Sequence, residues 1–263
     1  MTKSSTAPVF IFSASWRTGS TLLQRLLNTT DELLIWGEPQ FLIPARRMFD
    51  LATQSFSEAQ WMRDQAEEEP LHQMWAPTIC PSPDSIVPAF KGLFDQLYNE
   101  PSLAKGFGRW GFKEVRNFGL ENAIFFRAIY PGAKIVFHYR HPFDAYASLK
   151  RTDFFNSFED TPFQPMQIWT KNYLGFKSQL AADLNAFVIS HEEVVSAIPS
   201  ENPKLKKLFD YIEVEMTDTC DEVLGNKLGG TSEGQGLSEE EKKKFRAILK
   251  EKSVDLVDEY PDV

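Results

Sequence analysis

The chain has 263 residues, 42% of them hydrophobic, enough for one large core. Its formal net charge of −9 argues against a protein that grips nucleic acid nonspecifically, and equally against a polyanionic sugar acceptor. No apolar run approaches the roughly 20 residues of a membrane span, the opening "MTKSSTAP" lacks the pattern of a signal peptide, and two distant cysteines, Cys80 and Cys220, fit a reducing cytoplasm better than a disulfide framework.

"PVFIFS" (8–13) reads as a buried strand, and "TGSTLLQRLLN" (18–28) as the helix that follows it. "ELLIWGE" (32–38) is a short strand or extended turn, and "FLIPARRMFDLATQ" (41–54) is helical after Pro44. Residues 55–88 hold "AEEEP" and the prolines Pro70, Pro77, Pro81, Pro83 and Pro88, and read as a surface insertion or lid. "SIVPAFKGLFDQLYN" (85–99) has helical spacing, "RWGFKEV" (109–115) alternates like a strand, and "NFGLENAIFFRAIY" (117–130) is a helix. "KIVFHYR" (134–140) is the clearest strand, and Pro142 in "HPFDAYASLKR" suits the first position of the next helix. One long helix is expected over 162–184, a strand at "AFVIS" (186–190), then mostly helix, broken by the glycine-rich "NKLGGTSEGQG" (226–236). "SEEEKKKFRAIL" (238–249) opens with a serine cap and acids. Strands alternating with helices predict a single α/β domain, 1–263, with a central, mostly parallel sheet.

The loop "SASWRTGST" joins the first strand to its helix, so backbone N–H groups and a helix N-terminus face one point, which makes an anion site. Gly19 permits close approach or positive φ, Thr18, Ser20 and Thr21 add hydroxyl donors, and Arg17 adds a forked cation. The nucleotide-hydrolase pattern G-x-x-x-x-G-K-[ST] is not met: its first glycine is absent, and Ser20 stands at the lysine. An ordinary strand–helix turn would share the shape. A second segment, "YRHPFDAYAS" (139–148), releases Arg140 from a strand just before a helix begins. Arg140 and Ser148 could converge on a second phosphate, with Asp144 as a helix-start acid.

The two segments together resemble the sulfotransferases that use 3′-phosphoadenosine 5′-phosphosulfate (PAPS): the first is similar to their 5′-phosphosulfate loop, the second to their 3′-phosphate motif. The arginine form, "RTGSTL" here, resembles the carbohydrate, tyrosyl-protein and bacterial small-molecule branches more than the branch with lysine. The resemblance covers roughly residues 8–45 and 109–195. It implies a P-loop-like three-layer α/β/α fold, PAPS as donor, adenosine 3′,5′-bisphosphate (PAP) as product, and no metal.

Further roles follow from the resemblance. Glu38, in "WGEPQ", matches a glutamate that serves as general base in some members; a turn or cap role is the plain alternative. Rival bases are His138, His141 and His191, which read as packing, capping and structural residues, and His72, the main competitor. Lys113 matches a lysine that approaches the transferring sulfuryl group, with Arg116 as its assistant. Lys227, Gly230 and Thr231 match a late loop that closes over the nucleotide, though a plain connector fits as well.

The reading is a cytoplasmic sulfotransferase that moves a sulfuryl group to a hydroxyl or amine. Trp16, Trp36, His72 and Phe155, the last within "DFFNSFEDTPF", are expected at the acceptor. The acidic balance favours a neutral or cationic small molecule, such as a natural product or basic alkaloid; a carbohydrate acceptor is the alternative. Two other readings stand beside it: a phosphate-loop kinase and a noncatalytic nucleotide-binding protein. No feature sets an oligomeric state.

Overall fold

Five apolar runs, each four to six residues long, pair side by side because both faces of each can be covered. They are β1 (Val9–Ser13), β2 (Leu33–Trp36), β3 (Arg109–Glu114), β4 (Lys134–Tyr139) and β5 (Phe187–Ser190). In the computed structural model they form one sheet of order β2-β3-β1-β4-β5, and every pairing is parallel. The structure describes residues 6–58, 70, 72–73, 82–225, 236–256, 258–261 and 263.

The helices between the strands are α1 (Ser20–Leu27), α2 (Leu42–Glu58), α3 (Ile86–Phe94), α4 (Glu100–Ala104), α5 (Gly119–Ile129), α6 (Pro142–Lys150), α7 (Gln164–Phe176) and α8 (Gln179–Asp183). After β5 come α9 (His191–Val194), α10 (Pro203–Ile212), α11 (Thr219–Gly225) and α12 (Glu239–Glu251). Alternation along β1 sends Phe10 and Phe12 to one face and Val9 and Ile11 to the other. The first face meets an aromatic core that includes Phe94, Trp110, Phe112, Phe126 and Phe137. The second packs on Leu23, Leu26 and Leu27 of α1 and on Leu205 and Leu208 of α10. Most of the aromatic richness is therefore core packing.

Three elements differ from the sequence expectation. Helix α2 begins before Pro44 and runs on to Glu58, since a proline in the first turn loses an N–H that has no helical partner there anyway. The expected long helix over 162–184 breaks at Lys177, where the Ser178 hydroxyl caps α8 by accepting from the Ala181 N–H. Between α3 and α4 the helix widens to a π-turn, Asp95–Asn99, which lays Tyr98 flat against Trp110 at 5.6 Å. Of the expected insertion at 55–88, residues 55–58 complete α2, and 83–88 form a 3₁₀ turn and the start of α3. Most of the rest lies outside the described residues. Among the described residues no helix is long and apolar enough to cross a membrane.

Gly111 lies mid-strand between its partners Val9 and Ile35. A Cβ there would come within 1.8 Å of the Val9 carbonyl oxygen, a backbone atom that cannot step aside. Gly111→Ala is expected to cost about 3 kcal/mol or more of unfolding free energy, measured by urea denaturation. A loss below about 1 kcal/mol would show that the sheet can open at this point.

Candidate functional site

In the order β2-β3-β1-β4-β5 the chain places β2 and β3 on one side of β1 and then crosses to lay β4 and β5 on the other. The crevice at the carboxyl end of β1 is thus the place where an α/β sheet of this kind binds ligands. The loop from Ala14 to Gly19 occupies it. Arg17 (φ 62°) and Gly19 (φ 89°) both take left-handed backbone conformations, and Gly19 immediately precedes α1. Thr18 and Ser20 are buried, Trp16 is half-buried, and Arg17 and Thr21 are exposed.

Two histidines underlie this loop. His138, wholly buried on β4, places Nε2 3.0 Å from the Thr18 carbonyl and Nδ1 3.2 Å from the Ile189 carbonyl. His191 fills the space beneath Gly19 so closely that a Cβ at Gly19 would lie 2.2 Å from its Nδ1. Gly19 is therefore required twice, by φ and by contact. Burial pushes His138 down to about 4. Burial, and then the charges of His138 and Arg140, push His191 down to about 3. Both rings are neutral near pH 7 and serve as struts: His138 packs as expected, whereas His191 supports Gly19 by contact and its Nδ1 makes no hydrogen bond among the described residues. His141 stands at the N-cap of α6, but its side chain makes no cap bond, contrary to expectation.

The two phosphate-type motifs meet across 131 positions of sequence. Arg17 Nε donates to Ser148 Oγ at 3.1 Å. Arg140 Nη1 donates to the Arg17 carbonyl at 3.4 Å, and Arg140 Nη2 lies 3.7 Å from Asp144 Oδ2. Ser148 was expected to act with Arg140. Its contact here is Arg17, so three groups, not two, gather at this point.

On the other side of β1, Lys113 Nζ contacts Glu38 Oε1 at 2.7 Å. Lys113 sits opposite Ile11 in the sheet and is only 7% exposed, so it is no solvated surface lysine. Glu38 follows β2 in a half-buried turn. Arg116, expected as a second cation, is fully engaged elsewhere. Its Nε and Nη2 donate to the two oxygens of Glu114 at 2.7 and 2.6 Å, while Nη2 also reaches the Pro39 carbonyl at 2.8 Å and Nη1 reaches Gln40 Oε1 at 3.2 Å. Glu114, 1% exposed, also accepts the N–H groups of Val115 and Arg116. A buried carboxylate this well paired is costly to break. Arg116 thus fastens the turn that carries Glu38.

Trp16 packs against Phe154 at 5.6 Å and Phe158 at 5.3 Å, and Phe155 lies against Tyr146 and Phe158. Trp36 is not part of this group. Its indole N–H donates to Ser102 Oγ at 2.8 Å and its ring meets Tyr98, so it buttresses the Glu38 turn. His72 is exposed and contacts the Gln73 side chain. Lys227, Gly230 and Thr231 lie outside the described residues. Asn172, which no sequence signal singled out, donates to the Ala14 and Arg116 carbonyls at 2.9 and 3.3 Å and accepts from Gly119 N–H at 3.0 Å. It ties the β1 loop to the loop after β3. Only a buried polar residue on an otherwise apolar helix face could have pointed to it.

The sequence matches the model of the sulfotransferase family over residues 8–218. No curated protein matches it. Among solved structures, it is similar to a sulfotransferase domain from the curacin biosynthetic pathway, at 17% identity and a TM-score of 0.54, covering 95% of this chain and 98% of that one. It is also similar to the sulfotransferase domain of the Synechococcus PCC 7002 olefin synthase, at 15% identity and the same TM-score, covering 97% and 98%. At these identities the likeness is one of fold.

The depressed histidines set a pH dependence. A folded chain that refuses protons its unfolded form accepts is at full strength above pH 6.5 and weakens as pH falls through that value toward the folded values of about 4 and 3. Each histidine contributes a slope of up to about 1.4 kcal/mol per pH unit. Urea unfolding at pH 7, 6 and 5 is expected to show falling stability, flattened in His191→Gln. Constant stability between pH 6.5 and 5 would contradict this account of the loop.

Proposed function

This chain belongs to the sulfotransferase family, and we propose that it transfers a sulfuryl group from PAPS to a hydroxyl or amine of a small-molecule acceptor. The observation that carries the proposal is the pair Lys113–Glu38 at 2.7 Å, set across β1 from the cluster of Arg17, Ser148 and Arg140. One side offers a base with a cation beside it; the other offers two arginines and a hydroxyl for phosphate groups.

The loop from Arg17 to Thr21 would hold the 5′ end of the donor through backbone N–H groups, hydroxyls and the Arg17 guanidinium. Arg140 and Ser148 would hold the 3′ phosphate, and Lys227, Gly230 and Thr231 would close over the nucleotide. In the in-line step the acceptor oxygen or nitrogen bonds to sulfur while the bond from sulfur to the 5′-phosphate oxygen breaks. PAP departs with that electron pair, and the acceptor proton passes to Glu38. Lys113 holds Glu38 Oε1, and in this reading Oε2 would accept the proton. Once the donor is bound, Lys113 and Arg17 can stabilise charge that develops on the departing oxygen. Arg116 acts through the turn, not on the reacting atoms.

Trp16, Phe154 and Phe158 form an apolar wall beside the loop, with Phe155 behind it. Phe154 is exposed, and Asp153, Glu159 and Asp160 around it are exposed acids. Such a wall suits a flat, neutral or cationic acceptor better than an anionic one.

The test follows transfer of labelled sulfuryl from PAPS to a panel of phenols, alcohols and amines. Glu38→Gln is expected to lower kcat about 10²–10⁴-fold, with PAP affinity within about twofold of wild type. Lys113→Met is expected to cost about 10²–10³-fold. Full activity in Glu38→Gln would remove Glu38 as the base. Phosphoryl transfer from ATP–Mg²⁺ in place of sulfuryl transfer would replace the proposal with a kinase.

A further inference from the structure

The peptide unit that joins Arg140 to His141 is held at both of its polar ends. Its carbonyl accepts from Trp169 Nε1 at 3.0 Å, and its N–H donates to Glu192 Oε1 at 3.0 Å. This unit sets where the Arg140 side chain leaves β4 and where α6, which carries Ser148, begins.

Both supporting side chains are themselves braced by residues beyond position 218, where the family match ends. Tyr260 Oη donates to the second oxygen of Glu192 at 3.0 Å, and its ring stands edge-on to His141 at 4.6 Å. Phe245, on α12, stands edge-on to Trp169 at 6.0 Å and to Phe143 at 5.6 Å. Both braces are buried: Tyr260 is 7% exposed and Phe245 is 1% exposed. The segment bearing Tyr260 is anchored by Glu259, whose carboxylate meets Lys177 at 2.5 Å, and by Leu256, 4% exposed. At the far end of α6, Lys150 Nζ pairs with Glu241 Oε1 of α12 at 2.6 Å and reaches the Gly236 carbonyl at 3.3 Å. The part of the chain after α11 therefore grips α6 at both ends, beside His141 and at Lys150.

We propose that Tyr260, through Glu192, is a positioning residue for the 3′-phosphate site: it fixes the Arg140–His141 peptide and thereby aims Arg140 at the 3′ phosphate of the donor. The proposal rests on the donor reading above and adds to it a stretch of chain that the family match does not reach. Charge-assisted recognition of a phosphate depends on geometry, and an error of about 1 Å in a positioned group can cost about 10²-fold. Tyr260 and Glu192 would act on the nucleotide only through the peptide they brace. The β1 loop, which would hold the 5′ half of the donor, meets this unit through the Arg140 bond to the Arg17 carbonyl, so the larger loss is expected for the 3′ phosphate.

That difference gives the test. PAP and adenosine 5′-monophosphate differ only in the 3′ phosphate. Calorimetry with each is run on wild type, Tyr260→Phe, Tyr260→Ala and Glu192→Gln, with melting temperatures alongside. Tyr260→Phe keeps the ring on His141 and loses only the hydroxyl, so it stays folded. It is expected to weaken PAP binding about fivefold, Tyr260→Ala at least tenfold, and Glu192→Gln, whose amide can keep both bonds, less than Tyr260→Ala, while the monophosphate changes less than twofold. A wild type that prefers PAP, with variants that keep the full preference, would overturn the brace alone. Equal loss for both nucleotides would also overturn it, because that is the mark of general loosening. A wild type that binds both equally would overturn the donor reading and the brace with it.

Discussion

Strand β1 lies between β3 and β4, and all three run in the same direction. The chain must therefore leave all three strands at one edge of the sheet. The loop after β1, Lys113 near the end of β3 and Arg140 just past β4 come from distant parts of the sequence and are delivered there together. The strands that impose this are almost wholly buried, so the edge is rigid and the side chains on it start from fixed backbone. Every functional contact described here depends on that one parallel arrangement.

Around it, the protein uses buried polar side chains to fix loops that the sheet alone would leave free. His138 and His191 support the β1 loop from below, Asn172 links it to the β3 side, and Glu114 with Arg116 fastens the turn that carries Glu38. Each has a desolvation cost, offset by hydrogen bonds for Asn172 and Glu114 and, for His191, limited because its ring is neutral. Such groups are spent on geometry. They hold the loops and the Glu38 turn in place before any ligand arrives, the kind of preorganisation that can favour charge redistribution in a transition state.

Much of this was legible in the sequence. Four strands were readable because short apolar runs bounded by polar residues have few other uses, and β2 was left between strand and extended turn because its run is so short. The "RTGST" loop and the Arg140–Ser148 spacing were readable because both need particular residue types at fixed distances. The contacts between them were not. That Arg17 meets Ser148, that Trp36 turns to Ser102 and away from the aromatic wall, and that Arg116 serves a turn are results of tertiary packing. The π-turn at Tyr98 adds one residue to a helix whose periodicity looks regular, so pattern alone could not show it. The break at Ser178 was the reverse case. A serine cap sat in plain view, but the apolar spacing on both sides of it is compatible with one continuous helix.

On this reading two arginine-bearing motifs, one just before α1 and one just before α6, recognise a nucleotide that carries both a 5′ and a 3′ phosphate. Isothermal calorimetry of PAP against ATP–Mg²⁺, on wild type and Arg140→Ala, addresses it directly. The account predicts micromolar binding of PAP by wild type, no comparable binding of ATP–Mg²⁺, and at least a tenfold loss for PAP in Arg140→Ala, about 1.4 kcal/mol. Binding of ATP–Mg²⁺ with indifference to the 3′ phosphate would contradict it.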